Sequence, residues 1–264
     1  MIPLVYDKTV ILLPENADEI TGKQLIGIAG AIHGKGNDLK KWLQVLRVLM
    51  NKSLIGFYLL NNDIKWRCLD YIGWTFEDLQ ITRQLIPEYK GFYGPKSELV
   101  NLTLSEFYFT ELHFSRVIRK NDDREALENL VSVLYRRAKP GYDKQKDLEG
   151  DVREPFNSNA SEYYAKAVIR KWPMAVKQAI LMWYDSCRAK IAANNPAIFD
   201  AKGGGETDQD NDADMFGILR GLAGGKYGDF EKVEKMLLGT ALLEMNFIIA
   251  ENERLQAEIE KQKH

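Results

Sequence analysis

Cysteine and histidine are scarce in this chain, and their scarcity removes much of the chemistry a sequence can advertise. The two cysteines, Cys68 and Cys187, show neither a metal-ligand spacing nor a disulfide framework. Both lie in apolar, helical-looking segments and read as buried free thiols, which suits a reducing cytosol. Of the three histidines, His264 is the last residue, His33 precedes a glycine-rich turn, and His113 has no ligand at i+4. That leaves no zinc motif and no Ser-His-Asp or Cys-His arrangement, Ser115 being only a helix neighbour of His113. A basic excess is also missing, with 36 Lys+Arg against 38 Asp+Glu and a net charge of −2. Phosphate neutralisation supplies most of a nucleic-acid binder's affinity, so that class is disfavoured. No apolar run approaches the roughly 18–20 residues that span a bilayer. The opening Met1-Ile-Pro-Leu-Val-Tyr-Asp-Lys has no basic region followed by an apolar stretch. The expectation is a soluble, cytoplasmic protein with no membrane partner, no cofactor and no metal.

What is present is material for a packed interior: 45% hydrophobic residues, 28% charged and 11% aromatic. Those proportions exclude disorder over the whole chain. At 264 residues there is room for one large domain, or for a core with a smaller module attached. The pattern is mainly α: a multi-helix domain with a short N-terminal β-hairpin or arm and a long C-terminal helix.

Residues 3–13 are β-branched and apolar on either side of Asp7-Lys8, the pattern of a hairpin or extended arm. After Pro14 the character is helical. Leu39, Trp42, Leu43, Leu46 and Met50 form one stripe of a helix over 38–50, capped by Asn37 or Asp38. The apolar run Ile55 to Leu60 is too short to classify by period. Helices are expected over 62–72 and 76–86, the second opened by Thr75 with Asp78 three residues on. Thr103-Leu-Ser-Glu106 is another capping box, opening a helix with Leu104, Phe107, Tyr108 and Leu112 on one face. Asn121-Asp122-Asp123 separates it from a helix carrying Leu127, Leu130, Val131 and Leu134, so the two should form a helical hairpin. From Lys139 to about Ser158 a polar surface loop is expected. Helix returns at Ser161. Pro173 then opens a helix with Val176, Ile180, Trp183, Cys187 and Ile191 buried, and Asn194-Asn195-Pro196 ends it.

Three segments follow: a helical core over 1–199, an acidic glycine-rich linker over 200–214, and a C-terminal helical module over 215–264. In the linker Asp208, Asp210, Asp212 and Asp214 alternate like the start of a calcium loop. Ala213 stands where that loop needs glycine and Leu219 where it needs glutamate, so a solvated tether is the better reading. Gly34-Lys-Gly-Asn and Gly224-Gly-Lys-Tyr-Gly do not fit a phosphate loop and read as turns. Tyr135, Arg136, Arg137, Lys139, Tyr142, Lys144 and Lys146 interleave basic and aromatic groups as a single-strand grip would. Asp143, Asp147, Glu149, Asp151 and Glu154 dilute them, and a solvated mixed-charge loop is expected instead.

The C-terminal helix, capped by Asp229 and running towards Lys261, carries the candidate partner-binding residues. Leu237, Ala241, Met245, Ile248, Leu255 and Ile259 recur, with Val233 and Asn252, at spacings of three and four. Such a narrow seam suits one partner helix, or packing against the protein's own body. A homo-oligomer through this helix is one partner it allows.

Residues 101–137, with Asn101-Leu-Thr-Leu-Ser-Glu-Phe107 and Asn129-Leu-Val-Ser-Val-Leu-Tyr-Arg136, resemble proteins of bacteriophage tail-assembly gene clusters. Phe216-Gly-Ile-Leu-Arg-Gly-Leu-Ala through Leu237 to Glu253 is similar to the end of some phage and prophage tail proteins. The resemblance covers about a third of the chain. It implies a helical, non-enzymatic tail assembly chaperone-like factor that shields or organises a tail protein such as the tape measure. The alternative is a structural virion component, a connector or adaptor.

Overall fold

The computed structural model describes residues 1–6, 9–77, 79–120, 123–143, 150–199 and 229–262. The acidic linker, the segment from Met215 through Gly224, Asp78, Asn121, Asp122, Lys144, Lys146, Asp147, Glu149 and His264 lie outside them.

The fold is mainly helical with an N-terminal hairpin and a long C-terminal helix. Strands β1 (Ile2–Tyr6) and β2 (Thr9–Leu13) pair antiparallel, Val5 opposite Val10 and Pro3 opposite Leu12. Alternation places Ile11 and Leu13 in the core and leaves Pro3, Val5, Val10 and Leu12 exposed. Helix α1 (Gly22–Ile32) opens with a capping box between Thr21 and Gln24. It packs on α2 (Asp38–Leu49) so closely that a Cβ at Gly27 would stand 2.8 Å from Val48 Cγ1. In α2 Leu46 and the C-cap Met50 of the expected stripe are buried and Trp42 and Leu43 pack against the core, with Val45 and Leu49 buried beside them, while Leu39 is exposed. The run from Ile55 proves to be a short helix, α3 (Leu54–Tyr58), capped by Ser53. Next come α4 (Asn62–Leu69) and α5 (Trp74–Glu77), where Phe76 stacks on Trp42 at 4.3 Å.

The helix expected over 76–86 stops after that one turn. Residues 79–86 run without helix, and their carbonyls are taken by a later helix, α9 (Met174–Asn194). Ser186 Oγ donates to the Leu79 carbonyl at 3.0 Å and Trp183 Nε1 to the Thr82 carbonyl at 3.3 Å. Pro87 reinforces the choice, because the residue before a proline avoids the helical region.

A two-residue ladder, β3 (Glu88–Tyr89) with β4 (Phe92–Tyr93), precedes α6 (Leu104–Arg119) and α7 (Arg124–Leu134). The Thr103–Glu106 capping box forms, and α6 and α7 pack together with Leu104, Phe107, Leu127, Leu130, Val131 and Leu134 buried. Helix α8 (Ser158–Ala167) lies on α7, where the Ser132 and Ser161 hydroxyls meet at 2.7 Å. Helix α9 starts after Pro173 and packs on α1 and α7, its stripe Val176, Ile180, Trp183 and Cys187 buried as its spacing predicts and Ile191, also expected buried, only half-buried against the core. Burial pushes the Cys187 thiol up to about 12, so it stays protonated.

The chain ends through α10 (Pro196–Phe199), α11 (Phe230–Glu234) and α12 (Leu238–Gln262). One continuous helix from Asp229 is therefore corrected to two. The break is paid for by backbone pairing: Leu104 N–H donates to the Met236 carbonyl at 2.9 Å, and Leu238 N–H to the Leu102 carbonyl at 2.8 Å. These bonds satisfy amides at the starts of α6 and α12 that no helix bond can reach.

Candidate interaction surfaces

The C-terminal seam is divided by the fold. Val233, Ala241 and Leu242 are buried, and Met245 and Ile248 pack against the core, while Asn246 Nδ2 donates to Asn195 Oδ1 at 2.7 Å. For these residues the seam's partner is the protein itself. Leu237 is exposed at the break. From Glu251 onward every described residue is exposed, so the last 12 residues of α12 stand clear of the body, about 18 Å at 1.5 Å per residue. Leu255 and Ile259 are 44% and 52% exposed there. Leu243 and Phe247 are also exposed, but on another face of the helix.

Helix α3 carries the most exposed apolar surface of the described residues, and periodicity could not find it. Only Phe57 is buried. Leu54, Ile55, Tyr58 and Leu59 are 73%, 73%, 80% and 77% exposed. Ser53 fixes the orientation by accepting from Gly56 N–H at 3.0 Å, and five residues leave too short a helix to bury two faces. Beside it an apolar recess of about 270 Å³ opens between α2 and α3, lined by Leu39, Leu43, Leu54 and Phe57 with Lys40 and Arg47 at its rim. On α4, Trp66 is also exposed. The signal in the sequence was composition alone: six large or small apolar residues in the seven from Leu54 to Leu60, between Lys52 and Asn61.

The start of the basic, aromatic stretch departs from both readings of the sequence, while Arg137 is exposed as a solvated loop requires. Tyr135 is buried, its hydroxyl donating to the Ile86 carbonyl at 2.6 Å, and Arg136 is buried as well. Arg136 pairs with Glu106, and Arg153 lies 3.4 Å from the same carboxylate. Arg153, only 1% exposed, holds Asp151 at 2.6 Å and donates to the Leu134 carbonyl at 3.0 Å. Burial and the neighbouring Arg153 charge bring Arg136 down to about 10, with Glu106 and Asp151 opposing. The expected surface loop is thus corrected over its described second half: Lys139 N–H donates to Val152 O and Glu154 N–H to Arg137 O, a short ladder anchored by buried charge. Breaking a buried pair strands its partner, which makes this cluster a structural lock rather than a phosphate track.

His113 borders a cavity of about 330 Å³ between α6, α7 and α8, walled by Phe109 and Phe156. Its Nδ1 is buried without a hydrogen-bond partner among the described residues, and burial, helped by Arg116 and opposed by Asp123, holds the imidazole down at about 4. No carboxylate or nucleophile is hydrogen-bonded to the ring among the described residues. Among the described residues no group of three or more His, Cys, Asp and Glu side chains is placed to hold a metal ion. None of the described helices is long and apolar enough to cross a membrane.

The segments that carry the phage resemblance fall, where described, in the capping box of α6, the buried face of α7 and the α12 helix. No family model, curated protein or solved structure matches this chain.

Proposed function

We propose that this chain is a protein-binding factor without an enzyme active site, docking a helical segment of another protein on the surface made by α2 and α3. The observation that carries this reading is the exposure of Leu54, Ile55, Tyr58 and Leu59. Fully burying a large aliphatic side chain is worth about 1.5–3 kcal/mol, so Leu54, Ile55 and Leu59 together with the Tyr58 ring supply the core of an interface. The adjoining recess gives a partner helix somewhere to insert an anchor, the helix-in-groove mode. Leu255 and Ile259 on the free end of α12 form a second contact strip.

The finer reading is a tail assembly chaperone-like factor for a phage or prophage tail or tape-measure protein. Its support is the resemblance of residues 101–137 and 216–253 together with a surface suited to a helical client. The freestanding end of α12 favours a second reading, a structural connector or adaptor, since a rod clear of the body suits bridging. Mass spectrometry of purified virions separates them: a chaperone is absent from the particle, and a connector is present at fixed stoichiometry.

A further inference from the structure

A broad groove of about 1220 Å³ runs beside the N-terminal hairpin; it shares Arg47 with the α2–α3 recess but is otherwise lined by different residues. Its floor is apolar, with Ile26 and Val48 from the α1–α2 pair and Leu85 and Ile86 from the nonhelical segment. Ile11, on the buried face of β2, borders it together with Val10 and Leu12, on the exposed face. Residues from both faces of one strand can line the same groove only if the strand's edge is turned towards it.

That edge is open, and the opposite one is blocked. Antiparallel pairs alternate between hydrogen-bonded and non-hydrogen-bonded. Pro3 has no N–H, so the Pro3–Leu12 pair belongs to the second kind, and so does Val5–Val10 two residues along. The N–H and C=O groups of Val10 and Leu12 therefore point away from β1. No hydrogen bond reaches them among the described residues. On the far side, β1 presents Pro3 at the matching outward position, where a proline stops edge pairing.

We propose that the β2 edge accepts an extended segment of a partner protein as a third strand, apolar side chains on the groove floor and acidic ones at its rim. Val10 and Leu12 supply two donors and two acceptors for that ladder. The acidic preference follows from the rim, where among the described residues Lys23, Arg47 and Lys52 face only Glu88 and Glu19, and Glu19 is engaged by the Met1 amine. The same cations disfavour a second copy of this chain, whose rim would meet its own like charge.

The probe is a fluorescein-labelled six-residue peptide alternating valine and glutamate, followed by fluorescence polarisation with the full chain. It should bind at least about tenfold more tightly than its valine–lysine counterpart, a difference of ~1.4 kcal/mol. N-methylating one alternate set of its amides should abolish binding, while methylating the other set is tolerated, because only one set faces β2. Leu12→Pro should weaken binding at least about tenfold, and the methylated peptides test the same edge on the unaltered protein. Equal binding of both methylated peptides, or of the lysine peptide, overturns the proposal. So does a concentration-dependent dimer in sedimentation that Leu12→Pro dissolves, which would give the edge to a second copy.

Discussion

Ile248 and Ile259 lie three turns apart on one stripe of α12, yet Ile248 packs on the protein's own core and Ile259 stands half exposed beyond it. A single apolar seam thus does two jobs. Its first half holds the helix to the body, and its second half is free.

That division predicts opposite outcomes for charge substitutions along one helix. Ala241→Asp places an uncompensated carboxylate at a site with no solvent exposure and should cost about 3–5 kcal/mol or detach α12. Leu255→Asp with Ile259→Asp should leave thermal unfolding within about 0.5 kcal/mol of the unaltered protein. Thermal melts and hydrogen exchange over residues 238–250 read both. Equal losses from the two variants would contradict the division.

His113 gives the protein an acid-sensitive element. Its imidazole stays neutral in the folded chain down to about 4, against 6.5 ordinarily. The unfolded chain therefore binds a proton in that window which the folded chain refuses. Stability is full above about pH 6.5 and declines as pH falls towards 4, by on the order of 3 kcal/mol. Urea titrations across this range should show the slope in the unaltered protein and a flatter one in His113→Leu. An unchanged slope would mean that other groups carry it.

Trp183 tests how residues 79–86 are held out of a helix. Trp183→Phe keeps the packing and removes the 3.3 Å bond to the Thr82 carbonyl. The loss should be about 1 kcal/mol, since Glu98 N–H still reaches the same oxygen. Amide exchange should quicken in residues 79–86 more than in α9 itself. Uniform acceleration would point to general destabilisation instead.

Local signals were readable where a rule acts over a few residues. The Thr103–Glu106 capping box, the α7 face from Leu127 to Leu134 and the α9 stripe from Val176 to Cys187 all follow from spacing. What spacing could not convey was tertiary. Residues 79–86 have a helical composition, but Trp183 and Ser186, a hundred positions on, offer their carbonyls better partners. Arg136 and Arg153 look solvated in a turn-rich stretch, and their burial depends on Glu106 far upstream. Of the candidate site, the free strip Leu255–Ile259 was legible as part of a seam, and its division was not, because the body that covers Met245 and Ile248 is assembled from distant segments. The α3 surface lacked even a period, being a single turn.

Docking of a protein on α3 is decided by co-purification from the native host with quantitative mass spectrometry. The unaltered chain is compared with Ile55→Asp/Leu59→Asp, both residues being exposed enough that the fold should melt unchanged. A partner should appear at fixed stoichiometry with the unaltered chain and fall at least about tenfold with the variant. An equal yield of partner from both chains, at equal melting temperature, would contradict docking on α3.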